Sequence, residues 1–135
     1  MMKQLSIFTE NTKGAMQKIT GVLTEQKINI IALVTNDSAE FGIVRMLVSD
    51  PEKAFDALKE AGYMVHLNKV IAVEIGDTPG SLDRLLQEIL YSNINVDYIY
   101  MSYDREIAMP IAVIKVTDAD EVEECLESRN YVLVK

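Results

Sequence analysis

Asp77-Thr78-Pro79-Gly80-Ser81-Leu82 is the stretch of this chain best suited to hold a small charged molecule. It follows an alternating apolar run, Val70-Ile71-Ala72-Val73-Glu74-Ile75, and leads into an apolar stripe at helical spacing: Leu82, Leu85, Leu86 and Ile89. That order predicts a turn from a strand into a helix. A helix start leaves backbone N–H groups unpaired, and they favour an anion such as a carboxylate. Pro79 is placed just inside the helix, where its missing N–H is no loss. Gly80 has no side chain to keep a ligand off the backbone. The layout occurs once before, as Asn11-Thr12-Lys13-Gly14-Ala15-Met16 after Leu5-Ser6-Ile7-Phe8. Two small-ligand loops, one per repeat, are the central expectation.

The remaining reactive side chains read as structural. With one histidine and one cysteine, neither a transition-metal site of imidazole and thiolate nor an internal disulfide is expected. His66 occupies a strand position that becomes Val134 in the second half, which marks a packed or surface histidine. Cys125 falls where the first half has Ala57, on a buried helix stripe; it reads as a small packed thiol, and no histidine is spaced to act as its base. Asp118-Ala119-Asp120-Glu121 lies at a helix start, where negative charge is favourable, and it lacks the spacing of a calcium loop. The scattered methionines read as core filler. No metal and no cofactor is expected.

Hydrophobic residues make up 49% and charged residues 25%, a globular rather than a disordered composition. A net charge of −8 repels a phosphate backbone, so nucleic acid is not an expected partner. No apolar run reaches the roughly 20 residues that a membrane-spanning helix needs. Met1-Met2-Lys3-Gln4-Leu5 enters a strand pattern without the apolar core of a signal peptide. The expectation is a soluble, cytoplasmic protein.

The loops are positioned by elements that recur in order. Lys3 to Thr9 alternates as a half-buried strand. Ala15, Met16, Ile19, Val22 and Leu23 recur at helical spacing. Ile28 to Val34 is an apolar, β-branched run and so a strand. Asn36-Asp37-Ser38-Ala39-Glu40 is a turn cluster, and Phe41 to Val48 completes a hairpin. Asp50 and Pro51 open a helix whose buried stripe is Ala54, Ala57, Leu58 and Ala61. Gly62 ends it, and Tyr63 to Leu67 is a last strand.

The pattern then repeats. One constant offset aligns Leu5 with Ile71, Ile7 with Val73, Thr12 with Thr78, Gly14 with Gly80, and Asn29 with Asn95. Past a slightly longer second hairpin, a second offset aligns Asp50 with Asp118, Leu58 with Leu126 and Tyr63 with Tyr131. Such regularity indicates an internal duplication. The boundary falls near Asn68, giving domains at 1–68 and 69–135, with no Gly- or Ser-rich linker between them.

A strand-helix-strand-strand-helix-strand unit predicts an α+β fold: an antiparallel sheet with both helices on one face, in the ferredoxin-like manner. Ile30 to Val34 is apolar on both alternating faces, so both should be covered, by the other sheet or by a second chain. Tyr98, Tyr100 and Tyr103 in the second repeat fit a covered surface.

Two βαββαβ units, each with a glycine loop after strand one and Asn29-Ile30 or Asn95-Val96 at the start of strand two, resemble tandem ACT domains over Lys3 to Lys135. Asp77-Thr78-Pro79-Gly80-Ser81-Leu82 matches the family loop well. The first loop departs from it, with Asn11 for the acid and Lys13 for the proline. The resemblance implies a regulatory module that binds a small molecule, most often a free amino acid, at the interface between two ACT units. No catalysis is expected, and the apolar faces of Ile30 to Val34 make a homodimer the expected assembly. The ligand carboxylate then suits the amides near Gly80, Ser81 and Leu82 and near Gly14, Ala15 and Met16. Its ammonium needs acceptors such as Asp77, the Asn11 side-chain oxygen or strand-edge carbonyls.

Two other classes fit the same topology. An interaction module would dimerise or dock on an enzyme without a small ligand. A small hydrolase resembling acylphosphatases would need an arginine in the first loop; that loop offers Lys13, while Arg45 and Arg84 lie in a strand and a helix.

Overall fold

Every helix of this protein stops at the same kind of turn, and those turns decide where the following strands begin. α1 (Ala15–Glu25), α2 (Pro51–Glu60), α3 (Ser81–Tyr91) and α4 (Ala119–Ser128) each end in a left-handed residue. These are Lys27, Gly62, Asn93 and Asn130, with φ of 58°, 95°, 56° and 68°. The amide beyond each one reaches back five residues: Ile28 to the Leu23 carbonyl, Tyr63 to Leu58, Ile94 to Ile89 and Tyr131 to Leu126, at 3.0 to 3.1 Å. This is the Schellman arrangement, which satisfies carbonyls the helix leaves open. The computed structural model describes residues 2–36 and 41–134. They form two compact units, one of Lys3–Asn68 and one of the residues from Lys69 on.

In the first unit, β1 (Met2–Glu10) pairs antiparallel with β3 (Phe41–Val48), from Leu5 opposite Met46 to Glu10 opposite Phe41. β3 pairs with β2 (Ile30–Asn36), and the strand order is β2-β3-β1-β4, where β4 is Met64–Glu74. α1 and α2 lie on one face. They bury Ile19, Leu23, Ala54 and Leu58 against Leu5, Ile7, Val44 and Met46. α2 starts as its sequence predicts: the Asp50 carboxylate accepts from the Lys53 amide at 3.2 Å, with Pro51 in the first turn.

The second unit repeats the plan around the later part of β4 (Met64–Glu74). β4 pairs with β6 (Met109–Val116) and with β7 (Leu133–Val134), and β6 pairs with β5 (Val96–Asp104). Ile71, Val73, Ala112 and Ile114 meet Leu85, Ile89, Val122 and Leu126 in its core. The fold is therefore two ferredoxin-like βαββαβ units with antiparallel strands.

The structure departs from the sequence reading in places. Strands predicted over Tyr63–Leu67 and Val70–Ile75 are one continuous strand, β4. No glycine or proline interrupts the joint, and the Asn68 side-chain oxygen accepts from the Ser6 hydroxyl at 2.7 Å. β2 starts at Ile30 rather than Ile28, because Ile28 closes the end of α1. Ile31 and Leu33 remain 45% and 40% exposed, so the chain does not cover both faces of this strand. The predicted turn over Asn36–Glu40 lies, from Asp37 on, outside the described residues.

Candidate functional site

Both glycine turns are built alike. Gly14 and Gly80 cap α1 and α3 with φ of 84° and 90°, a left-handed conformation that glycine adopts without strain. The first helical amide of each is spent inside the turn: Ala15 donates to the Thr12 carbonyl at 3.1 Å, and Ser81 to Thr78 at 3.2 Å. The first i to i−4 bonds come from Lys18 to Gly14 and from Arg84 to Gly80. No side chain caps either helix. The amides left at each helix start are thus Met16 and Gln17 in one unit and Leu82 and Asp83 in the other. Of the amides expected to face an anion, those of Ala15 and Ser81 are therefore engaged within the turn.

One expectation at the second loop needs correction. Pro79 precedes the capping glycine and is outside the helix. Its backbone accommodates the turn that leads into Gly80, not the first helical turn. Asp77 does not cap α3, since a left-handed Gly80 fills that position. Thr78 and Ser81 instead bond through their hydroxyls at 3.0 Å, and Arg84 Nη2 donates to Ser81 Oγ at 3.3 Å.

At the first loop a cavity of about 520 Å³ opens. Of the predicted residues, Asn11, Thr12, Gly14, Ala15 and Met16 line it; Lys13 does not. Glu10, Gln17, Thr35, Gly42, Ile43 and Val44 also line it. Sequence reasoning did not assign these. The register explains them, since Thr9 lies opposite Gly42 and Phe8 opposite Ile43, which brings β3 to the end of β1. Gly42 was the available signal, because a glycine inside a strand pattern marks a close approach. The cavity's lining carries a carboxylate, amides and hydroxyls above an apolar floor, with no lysine or arginine. That suits a small zwitterion better than a phosphate, which wants a cationic cradle.

A family model described as an ACT domain pair matches residues 1–134. The chain belongs to that family. Its fold is similar to that of protein BT0572 from Bacteroides thetaiotaomicron, with TM-score 0.91 and 33% identity over 98% of this chain and 91% of the other. It also resembles the regulatory subunit of aspartate kinase from Thermus thermophilus, with TM-score 0.68 and 16% identity over 93% and 91% of the two chains. The corresponding subunit from Thermus flavus gives TM-score 0.64 and 16% identity over 93% and 90%. Comparison with curated proteins found no match.

The reactive residues away from the ACT loops have ordinary surroundings. His66 is exposed and meets the Phe8 ring edge-on, with centroids 5.7 Å apart. Cys125 is half-buried and bonds the Ser92 hydroxyl at 3.3 Å. The Tyr131 phenol is pushed above its usual range, first by burial and then by Glu88, with Arg84 and Arg129 opposing. Among the described residues no cluster of His, Cys, Asp or Glu could hold a metal ion, and no helix is long and apolar enough to cross a membrane.

Proposed function

We propose that this ACT pair is a non-catalytic, cytoplasmic regulatory module that binds a free amino acid through its glycine turns, where ACT units meet. The observation that carries this reading is the first-loop cavity, with Met16 and Gln17 amides at a helix start and the Glu10 carboxylate in one lining. The amides favour the ligand's carboxylate. Glu10 and the Asn11 side-chain oxygen suit its ammonium. Ile43, Val44 and Met16 leave an apolar wall for its side chain.

The working assembly in this proposal is a homodimer. Support comes from β2, an edge strand that leaves Ile31 and Leu33 in water. Sedimentation should report a dimer that Leu33→Lys dissociates.

A calorimetric screen of the proteinogenic amino acids against folded protein tests the binding claim. At least one should give a saturable isotherm. Silence from all of them at millimolar concentration overturns the reading and favours an interaction module that works without a small ligand.

A further inference from the structure

We infer that the duplicated loops are not equivalent: the first receives the amino acid, and the second is closed by its own Arg84. This rests on the proposed amino-acid binding and assigns it to one loop, against the better family match of the other.

The repeat offset that pairs Gly14 with Gly80 also pairs Ala15 with Ser81 and Lys18 with Arg84. Those two differences change the surface over the glycine. In the second loop the Ser81 hydroxyl is fixed by Thr78 and accepts from Arg84 Nη2 at 3.3 Å. Arg84 Nη1 then lies 3.3 Å from where a Cβ on Gly80 would stand. The guanidinium thus occupies the side of the glycine that a side chain would fill, and in this inference it shields the turn there. Its planar fork of donors can hold such a position where a lysine ammonium cannot.

In the first loop Ala15 has no hydroxyl to anchor a cation. Lys18 meets this loop through its backbone amide, which donates to the Gly14 carbonyl at 3.1 Å. No atom lies within 4 Å of a would-be Cβ on Gly14. The cavity opens at this point. Two differences, serine for alanine and arginine for lysine, thus separate a closed turn from an open one.

The test is an NMR titration of the full chain with each proteinogenic amino acid, following the amides of residues 11–17 and 77–83 separately. Saturable shifts confined to 11–17 are expected. Arg84→Ala should add a second saturable set at 77–83 and double the bound amount per chain. Ala15→Ser combined with Lys18→Arg, which copies the closing pair into the first loop, should abolish the shifts at 11–17. Wild-type shifts at 77–83 overturn the inference while leaving amino-acid binding intact. So does a loss of all binding in Arg84→Ala, which would make Arg84 a ligand contact. An Arg84→Ala variant whose second loop stays silent overturns the closing role. No shifts at either loop overturn the binding proposal, and the inference with it.

Discussion

Gly14→Ala and Gly21→Ala make the same chemical change at the cap and in the interior of one helix, α1, and should move stability in opposite directions. Gly14 caps α1 at φ 84°, and no atom lies within 4 Å of the position its Cβ would take. The added methyl therefore meets no neighbour, and only the backbone is penalised. A left-handed alanine costs roughly 1–2 kcal/mol. Restricting the unfolded chain returns about 0.4–1 kcal/mol. The net is a destabilisation of about 0.8 kcal/mol at the middle of these ranges and about 1.6 kcal/mol at most. Gly21 lies inside α1, and its added Cβ would touch Gln17 Nε2 at 3.5 Å, an ordinary contact. Alanine there stabilises by about 0.5–1 kcal/mol. The unfolded-state contribution is common to both variants, so their difference isolates the native backbone at Gly14. Urea unfolding followed by far-UV circular dichroism reads both midpoints, and the double variant should return near wild type. A stabilising Gly14→Ala would refute the claim that the loop requires a left-handed residue.

Asp50→Ala should cost about 1 kcal/mol through loss of its bond to the Lys53 amide, whereas Asp118→Ala, whose side chain makes no such bond, should cost a few tenths; chemical denaturation separates them. Leu58→Ala removes a fully buried side chain and should cost about 2–5 kcal/mol, while Leu90→Ala, 75% exposed, should fall within about 0.5 kcal/mol of wild type in the same assay. Tyr131 holds its proton more tightly in the folded protein, so the unfolded chain releases it first as pH rises above about 10. Its contribution is present below that pH and is lost toward the folded value; Tyr131→Phe should flatten this alkaline decline in thermal stability, and an unchanged decline would assign it elsewhere.

Much of the fold was legible because its signals are local. The Asp50-Pro51 helix start and the Gly62 stop need only neighbouring residues to act, and both stand where the sequence puts them. The repeat was legible because residue types recur at a fixed offset. The later start of β2 was not, because Ile28 is apolar and β-branched yet serves to close α1 behind left-handed Lys27. A lysine at such a turn gives no warning. At the loops, the glycines and helix starts were readable. The displacement of Pro79 was not, because it follows from a left-handed glycine taking the capping position. The contributions of Gly42, Ile43 and Thr35 depend on strand register, and Arg84's place over Gly80 depends on one side-chain conformation. Neither is written in spacing.

The amino-acid claim is tested most directly by a crystal structure of the full chain grown with whichever amino acid gives a calorimetric signal. The account predicts density beside Gly14, with the ligand's carboxylate on the Met16 and Gln17 amides and its ammonium toward Glu10 or Asn11. Density elsewhere, with the turn at Gly14 holding only water, would contradict it.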